Sequence, residues 1–388
     1  MERDELAAWL RLSLTPGVGN LSARRLLAAF GLPADIFAQP LSMLQSCCSA
    51  AQASALQTIP AGYAPLLDTT WQWLHAAAPP GSPARAIVPL GDPQYPQALL
   101  ETDDPPLMLY LMGPAHFLQP SVLAQMRCLA MVGSRNPTPQ GRENARQFAS
   151  ALRDAGLTIV SGLALGIDAA AHEGALAAAA THAATPATIA VIGTGLDRVY
   201  PRQHLDLARR IAAQGILVSE YPLGTPPLAA NFPKRNRIIS GLAQGTLVVE
   251  AAPASGSLIT ARLASEQGRE VFAIPGSIHS IQSRGCHALI RQGAKLVELA
   301  QDVLEELPWP GGAACLPETQ DAASHANDPG SANEALLIAM GFDPIGMDAL
   351  QARTGLGTAV LQVQLLDMEL AGVVARLPGG LFQRMGRA

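Results

Sequence analysis

The amino-acid sequence predicts an α/β protein whose core is a parallel sheet, followed by a small winged-helix-like domain at the C-terminal end. Three observations support this prediction. Short apolar runs alternate with helical stretches between residues 127 and 276, hydrophobic residues make up 49% of the 388-residue chain, and the composition changes sharply at residues 308–333. At roughly 100–200 residues per domain, this length corresponds to about two to four domains.

Residues 1–75 are predicted to form a helical domain. Gly17 and Gly19 precede a predicted helix at about 21–30 and resemble the glycines of a helix-hairpin-helix motif. Such a motif presents backbone N–H groups to a phosphate at a helix N-terminus. An ordinary turn between two helices explains the same residues equally well. Prolines are frequent in residues 76–126, which predicts an irregular connection that leads into the core.

The core is assigned to residues 127–307, where six apolar runs lead into turns that mostly contain glycine. Short apolar strands that alternate with helices are typical of βαβ units, in which both faces of a parallel sheet are buried. Ligands of such sheets bind at the carboxyl ends of the strands. The predicted strands are 127–133, 157–162, 188–193, 216–220, 246–250 and 271–276.

The C-terminal part is predicted from a composition break and the pattern that follows it. Residues 308–333 are rich in Pro, Gly, Ala, Asn, Asp and Ser, which indicates a flexible linker. Residues 334–388 then contain three helical stretches and a hairpin that turns at Gly379 and Gly380. Three helices and a hairpin are the elements of a winged-helix-like domain.

The charges are unevenly distributed along the chain. Residues 127–298 contain 17 Lys and Arg against 11 Asp and Glu, whereas the remaining residues contain 9 and 20. A basic middle within an acidic chain predicts an anion-binding core, although solvated surface charges are the plain alternative. No segment is apolar enough for a membrane span, and the N-terminus does not resemble a signal peptide. Five cysteines without a CxxC pair predict a reduced, cytoplasmic protein without a zinc site.

Two strand ends carry small and cationic residues that suit a phosphate. The first strand ends at Gly133, Ser134 and Arg135, where the glycine allows close approach and the guanidinium can bind two oxygens. The second strand ends at Ser161 and Gly162, in a glycine-containing turn that opens into a helix. The chain has neither the G-x-G-x-x-G pattern nor a P-loop pattern, so NAD binding and P-loop ATP hydrolysis are not supported and no cofactor is predicted.

The strongest local signal is the segment from Asn231 to Arg237, in which three cations follow an aromatic residue. The segment is interpreted as a loop that opens a helix ending near Gln244. Cations at a helix N-terminus favour phosphate, and a neighbouring aromatic ring can stack on a base. A solvated basic loop with Phe232 in the core is the alternative. The candidate residues are Phe232, Lys234, Arg235, Asn236 and Arg237.

The fifth strand leads to another turn that is rich in N–H donors, formed by Ser255, Gly256 and Ser257. Glu250 at the end of this strand has two interpretations, as a general base or as a partner that orients Arg135 or Lys234. Asp168 and His172 share a helix face, but no third ligand accompanies them, so a surface pair is favoured over a metal site.

The motifs of the middle domain resemble those of the DNA-processing protein A family, also called DprA or Smf. They follow one another in order through the whole middle domain. These motifs are GSRNP at 133–137, SGLALGID at 161–168, AVIGTGLDRVYP at 190–201, SEYPLG at 219–224, FPKRNRIISGL at 232–242, VVEAAPASGSLITA at 248–261 and AIPGS at 273–277.

The resemblance implies an extended Rossmann-like core and an N-terminal domain of sterile-alpha-motif type. It implies a protein without catalytic activity that binds and protects single-stranded DNA, forms a homodimer and loads the RecA recombinase during natural transformation. Carried over by position, the DNA-binding residues are Gly133, Ser134, Arg135, Ser161, Gly162, Phe232, Lys234, Arg235, Asn236 and Arg237, with Ser255, Gly256 and Ser257 at the rim.

Two other functions are compatible with a core of this type. The nucleoside-monophosphate phosphoribohydrolases of the lonely-guy family have a similar strand order, but their catalytic Glu is replaced here by Thr260, whereas Glu250 keeps this alternative open. A pure interaction scaffold is the third hypothesis. The helix predicted at 357–371 contains Asp367 and Glu369 but no Lys or Arg, so we expect the C-terminal domain not to bind DNA by itself.

Overall fold

The computed structural model describes residues 1–76, 79, 81–307 and 332–385. Its centre is a nine-stranded, mostly parallel sheet with helices on both faces, and a three-stranded sheet lies in the C-terminal domain. The predicted α/β class is therefore confirmed. Within the described residues, no helix combines the length and the apolar character that a membrane span needs.

The N-terminal domain consists of helices that pack around Trp9, Leu10 and Leu26. Gly17 lies in the turn between the first two helices with a φ of +76°, and its carbonyl oxygen accepts a hydrogen bond from Gln52 at 2.7 Å. This geometry is compatible with both interpretations of the turn. The helices are α1 (Arg3–Leu14), α2 (Asn20–Phe30), α3 (Pro33–Phe37), α4 (Leu41–Leu44), α5 (Ala50–Leu56) and α6 (Tyr63–His75).

The expectation of an irregular connection at 76–126 is wrong for a large part of this segment. Strands β1 (Ala84–Pro89) and β2 (Met108–Gly113) form an antiparallel pair that extends the central sheet through β2. The prolines mislead because those that the structure describes lie outside the two strands or, for Pro89, at the end of β1, where a missing N–H costs no ladder hydrogen bond. Two short helices also lie here, α7 (Gln97–Leu100) and α8 (Pro120–Gln125).

The rest of the central sheet is parallel, as predicted. Its strands are β3 (Cys128–Val132), β4 (Thr158–Ser161), β5 (Thr188–Val191), β6 (Ile216–Ser219), β7 (Gly245–Val248), β8 (Glu270–Ala273) and β9 (Lys295–Leu296). The helices between and after them are α9 (Pro139–Asp154), α10 (Ile167–Ala177), α11 (Leu205–Gln214), α12 (Asn231–Leu242), α13 (Ser257–Glu266), α14 (Arg284–Arg291) and α15 (Ala300–Glu306).

The order of the strands creates a crevice at the centre of the sheet. The order is β1-β2-β6-β5-β4-β3-β7-β8-β9, so the chain builds outward from β3 on one side and returns beside β3 with β7. The last register pair between these two neighbours is Val132 with Val248. Beyond this pair, the segments that follow β3 and β7 lead to helices in opposite directions along the sheet. Ligands of α/β sheets bind at such a point.

Both faces of the sheet are covered by apolar side chains, as a parallel sheet requires. Alternate residues of β3 belong to different clusters: Ala130 and Val132 pack with Ile238 of α12, whereas Leu129 and Met131 pack with the side chains of α9. This burial holds the carboxyl ends of β3 and β7 in one fixed arrangement.

The C-terminal domain has the predicted winged-helix elements. They are α16 (Ala332–Met340), β10 (Ile345–Gly346), α17 (Met347–Thr354), α18 (Thr358–Leu370), β11 (Val374–Leu377) and β12 (Leu381–Arg384). The hairpin between the last two strands turns at Gly379 and Gly380, whose φ angles are +83° and +73°. Nearly all of the predicted linker lies outside the described residues.

Candidate functional site

A cleft of about 480 Å³ opens at the crevice between β3 and β7. Its walls come from the loop after β3, the turn after β7 and the first turns of α12. The site residues Gly133, Ser134, Arg135, Phe232, Arg235, Asn236, Ser255, Gly256 and Ser257 line it together with Asp168, Gln282 and several apolar residues. Nine of the thirteen candidate residues therefore lie together at this cleft, and they differ in their surroundings.

Arg135 is an exposed cation at the mouth of the cleft. Its position depends on Ser134, which is buried and donates its backbone N–H to the carbonyl oxygen of Glu250 at 2.7 Å. Gly166 packs against the backbone of the same loop so closely that a Cβ there would collide with it. No salt bridge to Arg135 occurs within the part of the chain that the structure describes, so its charge is available to an anion.

The second predicted strand end contributes a support for the cleft instead of a phosphate ligand. Ser161 is fully buried and donates its hydroxyl to the carbonyl oxygen of Met131 at 2.6 Å. The backbone N–H of Gly162 donates to Asp168 at 3.1 Å, so it is already bonded within the protein. Burial raises the pKa of Asp168, and the nearby charge of Arg235 opposes that shift. The prediction that Ser161 and Gly162 bind phosphate directly is thus corrected.

The basic segment is helical throughout, which corrects its interpretation as a loop. Helix α12 begins at Asn231, and Pro233 lies in its first turn, where a missing N–H removes no helical hydrogen bond. Consecutive helical residues differ by about 100° in direction. The three cations of the segment therefore face three different environments.

Arg235 is directed into the protein. Only 4% of it is exposed, and its Nη1 atom donates to the carbonyl oxygens of Gly162, at 2.6 Å, and Val191. These carbonyls lie at the carboxyl ends of β4 and β5, so the guanidinium joins α12 to both strands. Burial lowers the pKa of Arg235 to about 10, a value at which the group is still protonated at neutral pH. Arg235 is a positioning residue at the floor of the cleft.

Arg237 is neutralised on the other side of α12. Its Nε atom lies 2.7 Å from Asp104, and its Nη2 atom lies 2.5 Å from Glu220. The side chain of Glu220 is only 7% exposed, so this ion pair is shielded from water. Arg237 does not line the cleft and holds α12 against the segment before β2. Its prediction as a phosphate ligand is therefore corrected.

Lys234 and Asn236 have the environments that a binding role requires. Lys234 is exposed and takes part in no salt bridge among the described residues, but it lies beside the cleft and not in its lining. Asn236 lines the cleft, and its side-chain amide lies 3.5 Å from the carbonyl oxygen of Gly256. This contact places the turn after β7 next to the first turns of α12.

The turn at 255–257 forms the opposite wall. The hydroxyl groups of Ser255 and Ser257 lie 2.7 Å apart, and the N–H of Ser257 donates to Ser255. Gly256 precedes the first residue of α13, and its own N–H has no acceptor among the described residues. The N-terminus of a ten-residue helix therefore faces the cleft, in agreement with the prediction of an N–H-rich turn.

Phe232 lines both this cleft and a second one of about 370 Å³. Its ring lies 5.4 Å from that of Tyr200, which is 49% exposed, and both rings line the second cleft. Arg135 also lines both clefts. Sequence reasoning did not assign Tyr200 to the site, because it is 32 positions away from Phe232 and the sequence pattern does not show that the two rings meet.

Glu250 has neither of its predicted roles. Its carboxylate accepts hydrogen bonds from the backbone N–H of Thr138 at 2.9 Å and from the Thr138 hydroxyl at 2.5 Å. It lies so close to Gly141 that a Cβ there would collide with it. Burial raises its pKa, and the bonds from Thr138 oppose that shift. A carboxylate engaged at the start of α9, outside the cleft lining, gives no support to the hydrolase alternative.

His172 and Asp168 do not form a surface pair. His172 is fully buried, with its Nδ1 atom 2.7 Å from the hydroxyl of Thr188, and burial lowers its pKa to about 3. Within the described residues, no group of three or more His, Cys, Asp or Glu side chains is arranged to hold a metal ion.

Two family models match the chain in the regions that form this architecture. Residues 86–308 match the model of DNA recombination-mediator protein A, and residues 320–380 match the DprA winged helix domain. The first match covers more than half of the chain and includes every residue that lines the two clefts. The chain belongs to the DprA family. The resemblance that the motifs indicated is thereby confirmed, as is the winged-helix domain.

Curated DprA relatives are similar over long stretches. The protein Smf of Escherichia coli K12 is 43% identical over 310 residues, which is 79% of each chain. DNA processing protein DprA of Streptococcus pneumoniae R6 is 47% identical over 219 residues, or 56% of this chain and 73% of the relative. The chain is therefore assigned to a family of DNA-processing proteins.

Solved DprA structures share the fold. The X-ray structure of DprA from Streptococcus pneumoniae has a TM-score of 0.63 and 36% identity, and the match covers 80% of this chain and 99% of that one. A DprA structure from Helicobacter pylori, described by its single-stranded DNA binding mode, has a TM-score of 0.50 and 28% identity, and covers 58% and 97%.

Proposed function

We propose that this DprA chain binds single-stranded DNA at the cleft between β3 and β7. The observation that carries the proposal is the exposed Arg135, which lines the cleft at the strand crossover together with Phe232 and the N-terminus of α13. The site offers positive charge and N–H donors for phosphate, and aromatic surface for a base. This combination is typical of sequence-tolerant binding to single strands.

The binding chemistry follows from which groups are free. Arg135 can form two parallel hydrogen bonds to a phosphate, and the N–H of Gly256 adds a donor at the helix N-terminus. Lys234 supplies a second cation beside the cleft. Arg235 and Arg237 are bonded within the protein, so their contribution is to hold α12 and hence Phe232, Lys234 and Asn236 in position.

The dimensions of the site favour a single strand over a duplex. A cleft of about 480 Å³ is large enough for one nucleotide and far smaller than a double helix. The exposed ring of Tyr200 beside Phe232 can contact a base only if that base is unpaired. Bases of a duplex are stacked on one another and present only their edges to a protein. We therefore expect the single strand to bind more tightly.

The wider role is proposed from family membership. The Helicobacter pylori relative is described by its single-stranded DNA binding mode, and the family model is named for recombination mediation. We propose that the chain acts as a homodimer in the cytoplasm, protects incoming DNA and loads RecA on it during natural transformation. We propose that the role is binding and not catalysis, which the engagement of Glu250 by Thr138 supports.

The testing experiment is an equilibrium titration of fluorescent oligo(dT) and of the matching duplex at two salt concentrations. Lys234→Ala is the test variant, and Lys295→Ala is the control, because the chain has only these two lysines and Lys295 is paired with Glu306. We expect tight binding of the single strand that weakens with salt and is reduced by Lys234→Ala only. Equal binding of duplex and single strand would overturn the proposal, as would a nearly flat salt dependence.

A further inference from the structure

Helix α18 of the winged-helix domain presents an uncovered apolar stripe. Val360, Val363, Leu366 and Leu370 are 49%, 62%, 54% and 80% exposed, although the opposite side of α18 is packed into the domain core. Their spacing of three to four residues places them on one side of the helix. Contiguous exposed apolar surface of this kind marks a contact site.

The charges of the described part of the domain do not favour DNA as the partner of this stripe. Helix α18 contains no Lys or Arg, and the exposed Asp367 lies within the stripe, four residues after Val363. The three arginines of the domain that the structure describes are engaged locally: Arg353 with a backbone carbonyl, and Arg376 and Arg384 with phenylalanine rings. The partner must therefore offer apolar surface together with positive charge.

The DNA cleft of the core has this combination around its mouth. Leu165 and Tyr200 line the second cleft and are 39% and 49% exposed, and Ile259 lines the first and is 43% exposed. Arg135 is the exposed cation that lines both clefts. An apolar helix with one central carboxylate matches this surface, with Asp367 in the place of a phosphate.

The chain is long enough to bring the two surfaces together. Twenty-four residues separate Leu307 from Ala332. At about 3.3–3.6 Å per residue, a connection of this length spans up to roughly 80 Å. Because the two surfaces belong to one chain, the contact is intramolecular and its strength does not depend on the concentration of the protein.

We propose that the α18 face docks on the DNA cleft of the same chain and competes with single-stranded DNA. This inference rests on the proposed function, because it assigns a regulator to that same cleft. Asp367 lies against Arg135, and the apolar stripe covers Leu165, Tyr200 and Ile259. DNA must displace the helix, so a free strand is captured only when its affinity exceeds that of the tethered domain.

The first test removes the stripe in the full chain without adding charge. The variant Val363→Ser/Leu370→Ser is compared with Ile338→Ser, an exposed apolar residue on α16 of the same domain. We expect the double variant to bind fluorescent oligo(dT) three- to tenfold more tightly at low salt, and the control to bind like the wild type. Unchanged affinity of the double variant, or an equal gain in the control, would overturn the docking.

The second test reports on the helix itself. A solvent-sensitive fluorophore is attached at Leu366→Cys in a chain that carries Cys47→Ser, Cys48→Ser and Cys315→Ser, since Cys47 and Cys48 are partly exposed and Cys315 lies outside the described residues. We expect apolar emission in the free chain and a shift toward aqueous emission as oligo(dT) is added. Emission that depends on protein concentration would assign the face to a second copy and overturn the intramolecular contact.

The two proposals fail in different ways. If oligo(dT) does not bind at any salt concentration, the proposed function is wrong, and the emission of the label in the free chain still reports whether α18 is covered. If oligo(dT) binds while the label shows aqueous emission both with and without DNA, the docking proposal is wrong and the proposal of the DNA site still stands.

Discussion

The guanidinium of Arg235 occupies the space beside Gly162 that any side chain at residue 162 would need. Its Nη1 atom donates to the Gly162 carbonyl oxygen at 2.6 Å, and a Cβ built on Gly162 would collide with the same guanidinium. The two motifs that contain these residues are more than 70 positions apart in sequence. Their juxtaposition explains why the glycine is needed there: it makes room for the cation that holds α12.

Arg235→Ala is expected to destabilise the fold. Removing the guanidinium leaves the carbonyl oxygens of Gly162 and Val191 without this donor, and buried Asp168 without a nearby positive charge. Losing hydrogen bonds to a charged group costs about 1.5–3 kcal/mol. Urea denaturation should show a lower free energy of unfolding by this amount. An unchanged midpoint would show that the buried contacts contribute nothing.

Arg135→Ala should weaken DNA binding with little effect on stability. The side chain is exposed and forms no salt bridge within the described part of the chain, so its loss removes only the contact with phosphate. We expect a loss of about 1–3 kcal/mol in oligo(dT) binding and a smaller dependence on salt. Arg209→Ala, an exposed arginine of α11, is the control. If Arg135→Ala binds oligo(dT) as tightly as the Arg209→Ala control, the cleft is not the DNA site.

Arg237 and Glu220 should be energetically coupled. Their atoms lie 2.5 Å apart in a shielded pair, so removing either partner leaves the other charge buried. In a double-mutant cycle with Arg237→Ala and Glu220→Gln, each substitution should lower the free energy of unfolding far less when the other is already present than when it is made alone. Thermal unfolding of the four proteins measures this coupling. Strictly additive effects would contradict the pair, and a normal oligo(dT) salt slope in folded Arg237→Ala would support its structural role.

His172 should make stability fall in acid. Burial lowers its pKa to about 3 in the folded chain, whereas an exposed His titrates near 6.5. Between these values the unfolded chain binds a proton that the folded chain does not. The stabilisation is therefore complete above pH ~6.5 and decreases by up to about 1.4 kcal/mol per unit as pH falls toward ~3. Comparing His172→Gln with the wild type by denaturation at several pH values isolates this slope, which must be shallower in the variant.

Glu250→Gln should affect folding and leave DNA binding intact. The carboxylate receives two hydrogen bonds from Thr138 at the start of α9, and losing such a contact at a helix N-terminus costs about 0.5–2 kcal/mol. We expect a lower melting temperature, unchanged affinity for oligo(dT), and no release of base from nucleoside monophosphates by either protein. Hydrolysis by the wild type that disappears in the variant would restore the phosphoribohydrolase alternative.

Much of the architecture was predictable because it depends on local patterns. The apolar runs and glycine turns indicated the parallel strands, and the pattern after the composition break indicated the winged helix. The pair of β1 and β2 was not predicted from the sequence, because prolines are frequent at the ends of strands and helices as well as in irregular segments. Its pairing with β6 is a contact over more than 100 residues that local pattern does not contain.

By itself, the sequence determined the fold class, the family and the segments that meet at the carboxyl ends of the strands. Only the tertiary structure decided which of the clustered cations is available. The three cations of α12 look alike in a list of residues, but they face different surroundings. Lys234 faces solvent, Arg235 faces the sheet, and Arg237 faces the carboxylates of Asp104 and Glu220. The reason is physical: the turn of about 100° per helical residue separates neighbours in direction, and burial then gives like charges unlike roles.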